Sequence, residues 1–150
     1  MGLFMRFFST SEQPIDLGAL DAALREIDPK YSVLKGTEPG KELALLAWKK
    51  DPHGDIEVNR PGDGLFDEEI AETKQFVAEA RGDRKQEVLD VLERTRFTFA
   101  VQVIWMGRHA ELTLRRIDPV WGWVFKHYEG MLHVDGEGFY DRSGLVLEMK

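Results

Sequence analysis

A six-residue segment occurs twice in the chain and constrains the fold more than any other feature. Residues 24–29 read LREIDP and residues 114–119 read LRRIDP, so the copies agree at five of six positions. Asp-Pro often ends a helix, because the residue before a proline disfavours the helical conformation. Both copies are predicted to close a helix that follows an apolar strand and precedes a hairpin. We favour an internal duplication over chance repetition of a common helix terminator, because the flanking patterns also match.

The first part of the chain has the pattern strand, helix, strand, strand. Asp16 is suited to cap a helix that ends at residues 28–29, because its carboxylate can accept hydrogen bonds from free N–H groups of the first helical turn. The polar residues 51–54 predict a turn before a last, short strand. From runs of apolar and β-branched residues we predict strands at residues 3–8, 31–35, 43–48 and 56–58.

The same pattern is predicted near the C-terminus. Apolar residues alternate strictly over residues 97–105, which indicates a strand, and a helix is expected from residue 110 to its end at Asp118 and Pro119. The remaining strands are predicted at residues 123–125, 131–134 and 145–149.

These patterns predict one α+β domain spanning residues 1–150. Its pseudo-symmetric βαββ halves would cover residues 1–60 and 96–150, joined by helices within residues 67–94 that divide near Gly82. Hairpins dominate over crossover connections, so we expect a mostly antiparallel sheet with the helices on one face.

The composition excludes several classes of function. The chain has no cysteine, which excludes a disulfide, a thiolate nucleophile and a sulfur-ligated metal. Its net charge is −7, and residues 67–94 alone carry nine acidic and five basic residues. Without a basic stripe we expect no nucleic-acid partner. No apolar run approaches the roughly 18–20 residues that span a bilayer, so we expect no membrane association and a cytoplasmic protein without a cofactor.

His133, Asp135 and Glu137 are the candidate metal ligands. On an extended strand these alternating residues would project from one face and could converge on a divalent cation. The glycines at positions 136 and 138 favour the other interpretation, a bulge or turn in which the two acids are simply solvated.

An aromatic group is the candidate ligand-binding surface. Such residues can form the wall of a pocket, although aromatics at this density more often fill a core. The proposed ligand-binding residues are Trp105, Trp121, Trp123, His127 and Tyr140.

No catalytic constellation is evident, and no serine lies in a nucleophile-elbow context. The sequence therefore favours a non-enzymatic binding or regulatory module for a small molecule or a protein partner. The alternative is a metal- or carboxylate-dependent, hydrolase-like enzyme that uses His133, Asp135 and Glu137.

Overall fold

The computed structural model describes residues 2–149 and arranges them as one eight-stranded antiparallel sheet with four helices. The strands are β1 (Phe4–Ser9), β2 (Tyr31–Lys35), β3 (Glu42–Trp48), β4 (Asp51–Asn59), β5 (Phe97–Val103), β6 (Gly130–Val134), β7 (Gly138–Asp141) and β8 (Gly144–Glu148). The helices are α1 (Leu17–Ile27), α2 (Leu65–Glu79), α3 (Lys85–Glu93) and α4 (Ala110–His127). The predicted α+β class and antiparallel sheet are confirmed, and Asp16 caps α1 as expected.

The first strand of the chain lies in the interior of the sheet. The strand order is β2-β3-β4-β5-β1-β6-β7-β8, so β1 pairs with β5 on one side and with β6 on the other. In this register Arg6 lies opposite Ala100 of β5 and His133 of β6. The N-terminal strand therefore pairs with residues that are 88 or more positions away in the sequence.

The helices cover both faces of the sheet, so the prediction that they share one face is wrong. Met5 and Phe7 belong to a core with residues of α1 and α4, whereas Phe8 belongs to a second core with residues of α2 and α3. Neighbouring strand residues project to opposite faces. Because β1 is apolar on both faces, each face needs its own covering layer to exclude water.

Helix α4 continues through Pro119, where the sequence predicted its end. The residues after the proline include Val120, Trp121 and Val124, all buried against the core. Proline inside a helix costs about 3 kcal/mol, an amount that burial of two large side chains can offset. The predicted strand at residues 123–125 is therefore wrong, because those residues are helical.

The expected pseudo-symmetry is not confirmed. The strand after α1 is β2, at the outer edge of the sheet, whereas the strand after α4 is β6, beside β1 in its interior. The repeated segment also differs in context, because residues 24–29 close α1 and residues 114–119 lie within α4. Helices α1 and α4 are each followed by three strands, so neither half has the predicted βαββ order.

Gly130 allows β6 to approach β1. Its φ is +151°, and a Cβ at this position would lie 2.1 Å from the backbone oxygen of Phe8. No other residue fits without moving β1 or β6. This contact fixes the start of the strand that carries His133.

The β3–β4 hairpin turns at Lys49 and Lys50, so the turn predicted at residues 51–54 is wrong. Trp48 pairs with Asp51, and both lysines have positive φ, 53° and 68°. This conformation is typical of a type I′ turn, which usually contains Asn-Gly. The polar segment that suggested a turn instead forms the start of β4, and a register shift there accommodates an extra residue.

Replacing Lys50 with glycine should stabilise the protein. We expect Lys50→Gly to raise the free energy of unfolding by about 0.5–1 kcal/mol in urea denaturation, because the left-handed conformation is strained for every residue with a Cβ. The matched control is Lys35→Gly in β2, whose φ is not positive. That variant should lose stability, and an equal loss in both variants would contradict the turn geometry.

Candidate functional site

A cavity lies between α2 and the sheet, and we call it the α2 cavity. Its volume is about 340 Å³, within the range of roughly 300–1,000 Å³ that is typical of small-molecule sites. It combines apolar walls with several ionisable side chains. The ionisable residues that line it are Arg6, Glu69, Glu72, His133 and Asp135.

Strand pairing and helical periodicity bring these residues together. Arg6 and His133 are direct neighbours on β1 and β6. On α2 the lining residues are Glu69, Glu72, Thr73 and Phe76. They are spaced by three or four positions, so they share one face of the helix. The cavity therefore follows from docking this face of α2 beside the β1–β6 pair.

Arg6 connects α2 to the turn that follows β6. Its Nε lies 3.0 Å from Glu69 Oε2, and its Nη1 lies 3.6 Å from Asp135 Oδ1. Asp135 Oδ2 also accepts a hydrogen bond of 3.1 Å from the backbone N–H of Phe4. The guanidinium is thus held between two carboxylates at the floor of the cavity.

Glu69 is an unusual carboxyl group because it is largely buried. Burial raises the pKa of Glu69 above its ordinary value, and the nearby Arg6 opposes this rise. Among the described residues, its Oε1 is buried without a hydrogen-bond partner, as is the hydroxyl oxygen of Thr98. Buried polar atoms are normally hydrogen-bonded. The Thr98 hydroxyl also opposes the rise in the Glu69 pKa through hydrogen bonding, so these two buried atoms lie close enough to satisfy each other.

The surroundings of His133 disfavour its protonated, charged form. Burial lowers the pKa of His133, and Asp135 opposes this change. The His133 ring packs on Phe139 with centroids 4.8 Å apart, and its Nδ1 is 3.8 Å from Asp135 Oδ1. The neutral imidazole, which can both donate and accept a hydrogen bond, is therefore favoured.

The structure brings two of the three predicted metal ligands together. Asp135 and Glu137 lie in the turn between β6 and β7, so the alternation expected of a strand does not extend to Glu137. Glu137 is exposed, and its Oε1 accepts a hydrogen bond of 2.5 Å from the Tyr140 hydroxyl. Within residues 2–149, no group of three His, Asp or Glu side chains is arranged to hold a metal ion.

The predicted aromatic surface is divided among different environments. Trp121 is a core residue, with its Nε1 3.2 Å from Met5 Sδ and its ring edge-to-face with Phe99. Trp123 is only partly buried against the same core and also packs on His127, with ring centroids 5.1 Å apart.

The helical conformation of residues 121–127 explains this division, because successive side chains turn by about 100° around the axis. Trp105 and Tyr140 are partly buried against the same core as Trp121. None of the predicted ligand-binding residues lines the α2 cavity.

Three residues that line the cavity were not predicted from the sequence: Arg6, Glu69 and Phe76. One signal was available for Arg6, since it is the single charged residue in a strand that is apolar on both faces. A charge in such a strand needs a partner. The partner itself could not be found from the sequence, because Glu69 is one of many acids on α2.

Comparisons with known proteins do not assign the chain: no family model matches it, and no curated protein or solved structure is significantly similar to it. None of the helices within residues 2–149 has the length and apolar character needed to cross a bilayer. The geometry of the site is therefore the basis from which we infer a function.

Acid should destabilise the protein through His133. Burial lowers the pKa of His133 below its ordinary 6.5. As the pH falls through that value, the unfolded chain takes up a proton that the folded protein resists, so the free energy of unfolding decreases until the folded pKa is passed. His133→Gln should reduce this loss in urea denaturation between about pH 8 and pH 5.

The matched control is His127→Gln, at an exposed position of α4. His53 is buried and its pKa is also lowered, whereas that of Glu69 is raised, so both contribute to the pH dependence of every variant. Comparison between variants removes these shared contributions. A His133→Gln slope identical to that of the His127 control would contradict the proposed role of burial.

Proposed function

We propose that the protein is a small-molecule-binding module whose ligand occupies the α2 cavity. The observation that carries this proposal is the combination, in one cavity of about 340 Å³, of an aromatic wall and several carboxylates. We infer that the ligand has an apolar body and a positively charged amino group. The binding module expected from the sequence is retained, but at a different site.

The apolar side of the cavity supports an apolar ligand body. Phe8 and Phe139 are each 1% exposed and form its inner wall, whereas Phe76 is 69% exposed at its edge. A ligand that packs between these rings would remove the Phe76 ring from water. Each Å² of apolar surface removed from water contributes about 25 cal/mol.

The charge of the cavity favours an amine. Its lining includes the carboxyl groups of Glu69, Glu72 and Asp135 but one guanidinium, that of Arg6. Arg6 already contacts Glu69 and Asp135. Glu72 forms no salt bridge within the part of the chain described. An ammonium group can pair with the remaining carboxylate, whereas a carboxylate ligand would be repelled.

The same cavity supports a second candidate, a carboxylate-dependent enzyme. A carboxyl group with a raised pKa and a neutral imidazole line one cavity, and such pairs can act as general acid and general base. The two candidates differ at Glu69. In an enzyme, Glu69→Gln should abolish conversion of a bound amine while binding remains, as seen by chromatography of the amine after incubation.

Three probes of similar shape test the binding proposal. We expect 2-phenylethylamine to raise the unfolding midpoint in a concentration-dependent way, because a ligand that binds only the folded state stabilises it. Neutral 2-phenylethanol should act more weakly, and 3-phenylpropanoate should have no effect. Phe76→Ala should weaken amine binding by about five- to tenfold in calorimetry, the cost of losing one aromatic contact.

The control variant is Leu112→Ala, another exposed apolar side chain, which lies outside the α2 cavity. It should bind the amine as the unmodified protein does. Equal stabilisation by all three probes would contradict the role of the carboxylates. An amine affinity unchanged in Phe76→Ala would place binding elsewhere on the protein.

A further inference from the structure

A second cluster of charged residues surrounds the ring of Trp48, at the end of β3. Trp48 packs against the core that contains α1 and α4, whereas the α2 cavity lies under α2. The guanidinium carbon of Arg116 lies 3.5 Å from the ring centroid. The ammonium nitrogens of Lys49 and Lys30 lie 4.7 Å and 5.7 Å from the same point. We call Trp48, Lys30, Lys49 and Arg116 the Trp48 cluster.

Three separate elements supply the cations of the cluster. Lys30 precedes β2, Lys49 lies in the β3–β4 turn and Arg116 lies on α4. Contacts with the electron-rich ring face partly compensate their mutual repulsion. The tertiary fold therefore brings three cations to one ring, although the net charge of the chain is −7.

Few acidic groups neutralise the cluster. Asp28 accepts a hydrogen bond of 3.0 Å from Trp48 Nε1, and its pKa is lowered by the backbone N–H of Lys30, with smaller effects from the cations. Among the residues that the structure describes, Lys30, Lys49 and Arg116 form no salt bridge within 4.0 Å. Asp51 is exposed beside the turn. The local charge therefore remains positive.

The turn that presents Lys49 is not optimised for stability. Lys49 and Lys50 both have the positive φ that favours Asn and Gly. A residue in a strained backbone conformation, at a position where another residue type would be more stable, is often associated with a functional role. Here the left-handed conformation holds the Lys49 ammonium over the Trp48 ring.

We propose that the Trp48 cluster binds a phosphate group, either free phosphate or the phosphate of a small metabolite. A phosphate dianion can accept hydrogen bonds from several cations at once, and arginine and lysine are the residues that most often bind it. Binding would relieve the repulsion among the three cations. This site is independent of the α2 cavity.

Titration with inorganic phosphate, followed by two-dimensional NMR, tests the proposal. We expect saturable shifts of the Trp48 indole N–H and of the Lys49 and Lys50 amides, at constant ionic strength. Arg116→Gln should weaken phosphate binding by about tenfold, the cost of a charge-assisted hydrogen bond. Phenyl phosphate distinguishes the two sources, because tighter binding than that of free phosphate indicates a metabolite.

The double variant Lys49→Asn, Lys50→Gly separates binding from folding. It supplies the preferred turn residues, so it should be more stable than the unmodified protein and yet bind phosphate about tenfold more weakly. Lys126→Gln is the matched control, since Lys126 is an exposed residue near the end of α4. It should bind phosphate normally.

Two results would overturn the proposal. One is an absence of shifts at the Trp48 indole over the whole phosphate titration. The other is an equal response to sodium chloride, or an equal loss in Lys126→Gln, which would show general charge screening or an adventitious ion only.

Discussion

Burial of β1 on both faces is the constraint on which the remaining structure depends. Phe7 and Phe8 are almost completely buried and belong to different cores. A strand of this kind has to lie in the interior of a sheet, with a helical layer above and below it. The position of Arg6 follows, because a charged residue in this strand can reach a partner only under one of the helical layers. The α2 cavity therefore lies where the buried apolar residues of β1 and the ion pairs of Arg6 are adjacent under α2.

Sequence patterns predicted the local structure well wherever one residue spacing dominated. The bounds of α1 and β2 and the division of the central helices near Gly82 are close to those expected. The failures occurred where tertiary burial outweighed a local signal. Pro119 predicted a helix end, but the buried face beyond it keeps α4 continuous. The aromatic residues that had been grouped as a surface consequently pack against the core, to different depths.

The candidate site was less predictable than the fold, for a physical reason. The metal hypothesis assumed that alternation continues through Glu137, whereas the chain turns after Val134. His133 and Asp135 do line a cavity, but their important neighbours are Arg6 and Glu69 from distant segments. Such long-range pairing depends on strand order and on which helix face docks. A single sequence does not specify either of these directly.

The contact between Arg6 and Glu69 has a consequence for the motion of α2. This ion pair attaches the N-terminal half of the helix to the sheet and also lies in the wall of the cavity. A ligand that competes for the Glu69 carboxylate would weaken the Arg6–Glu69 ion pair, whereas a ligand that pairs with Glu72 would leave this ion pair intact. Hydrogen exchange of the α2 amides would consequently report the orientation of the bound ligand as well as its presence. Exchange would accelerate if the ligand pairs with Glu69 and slow if it pairs with Glu72.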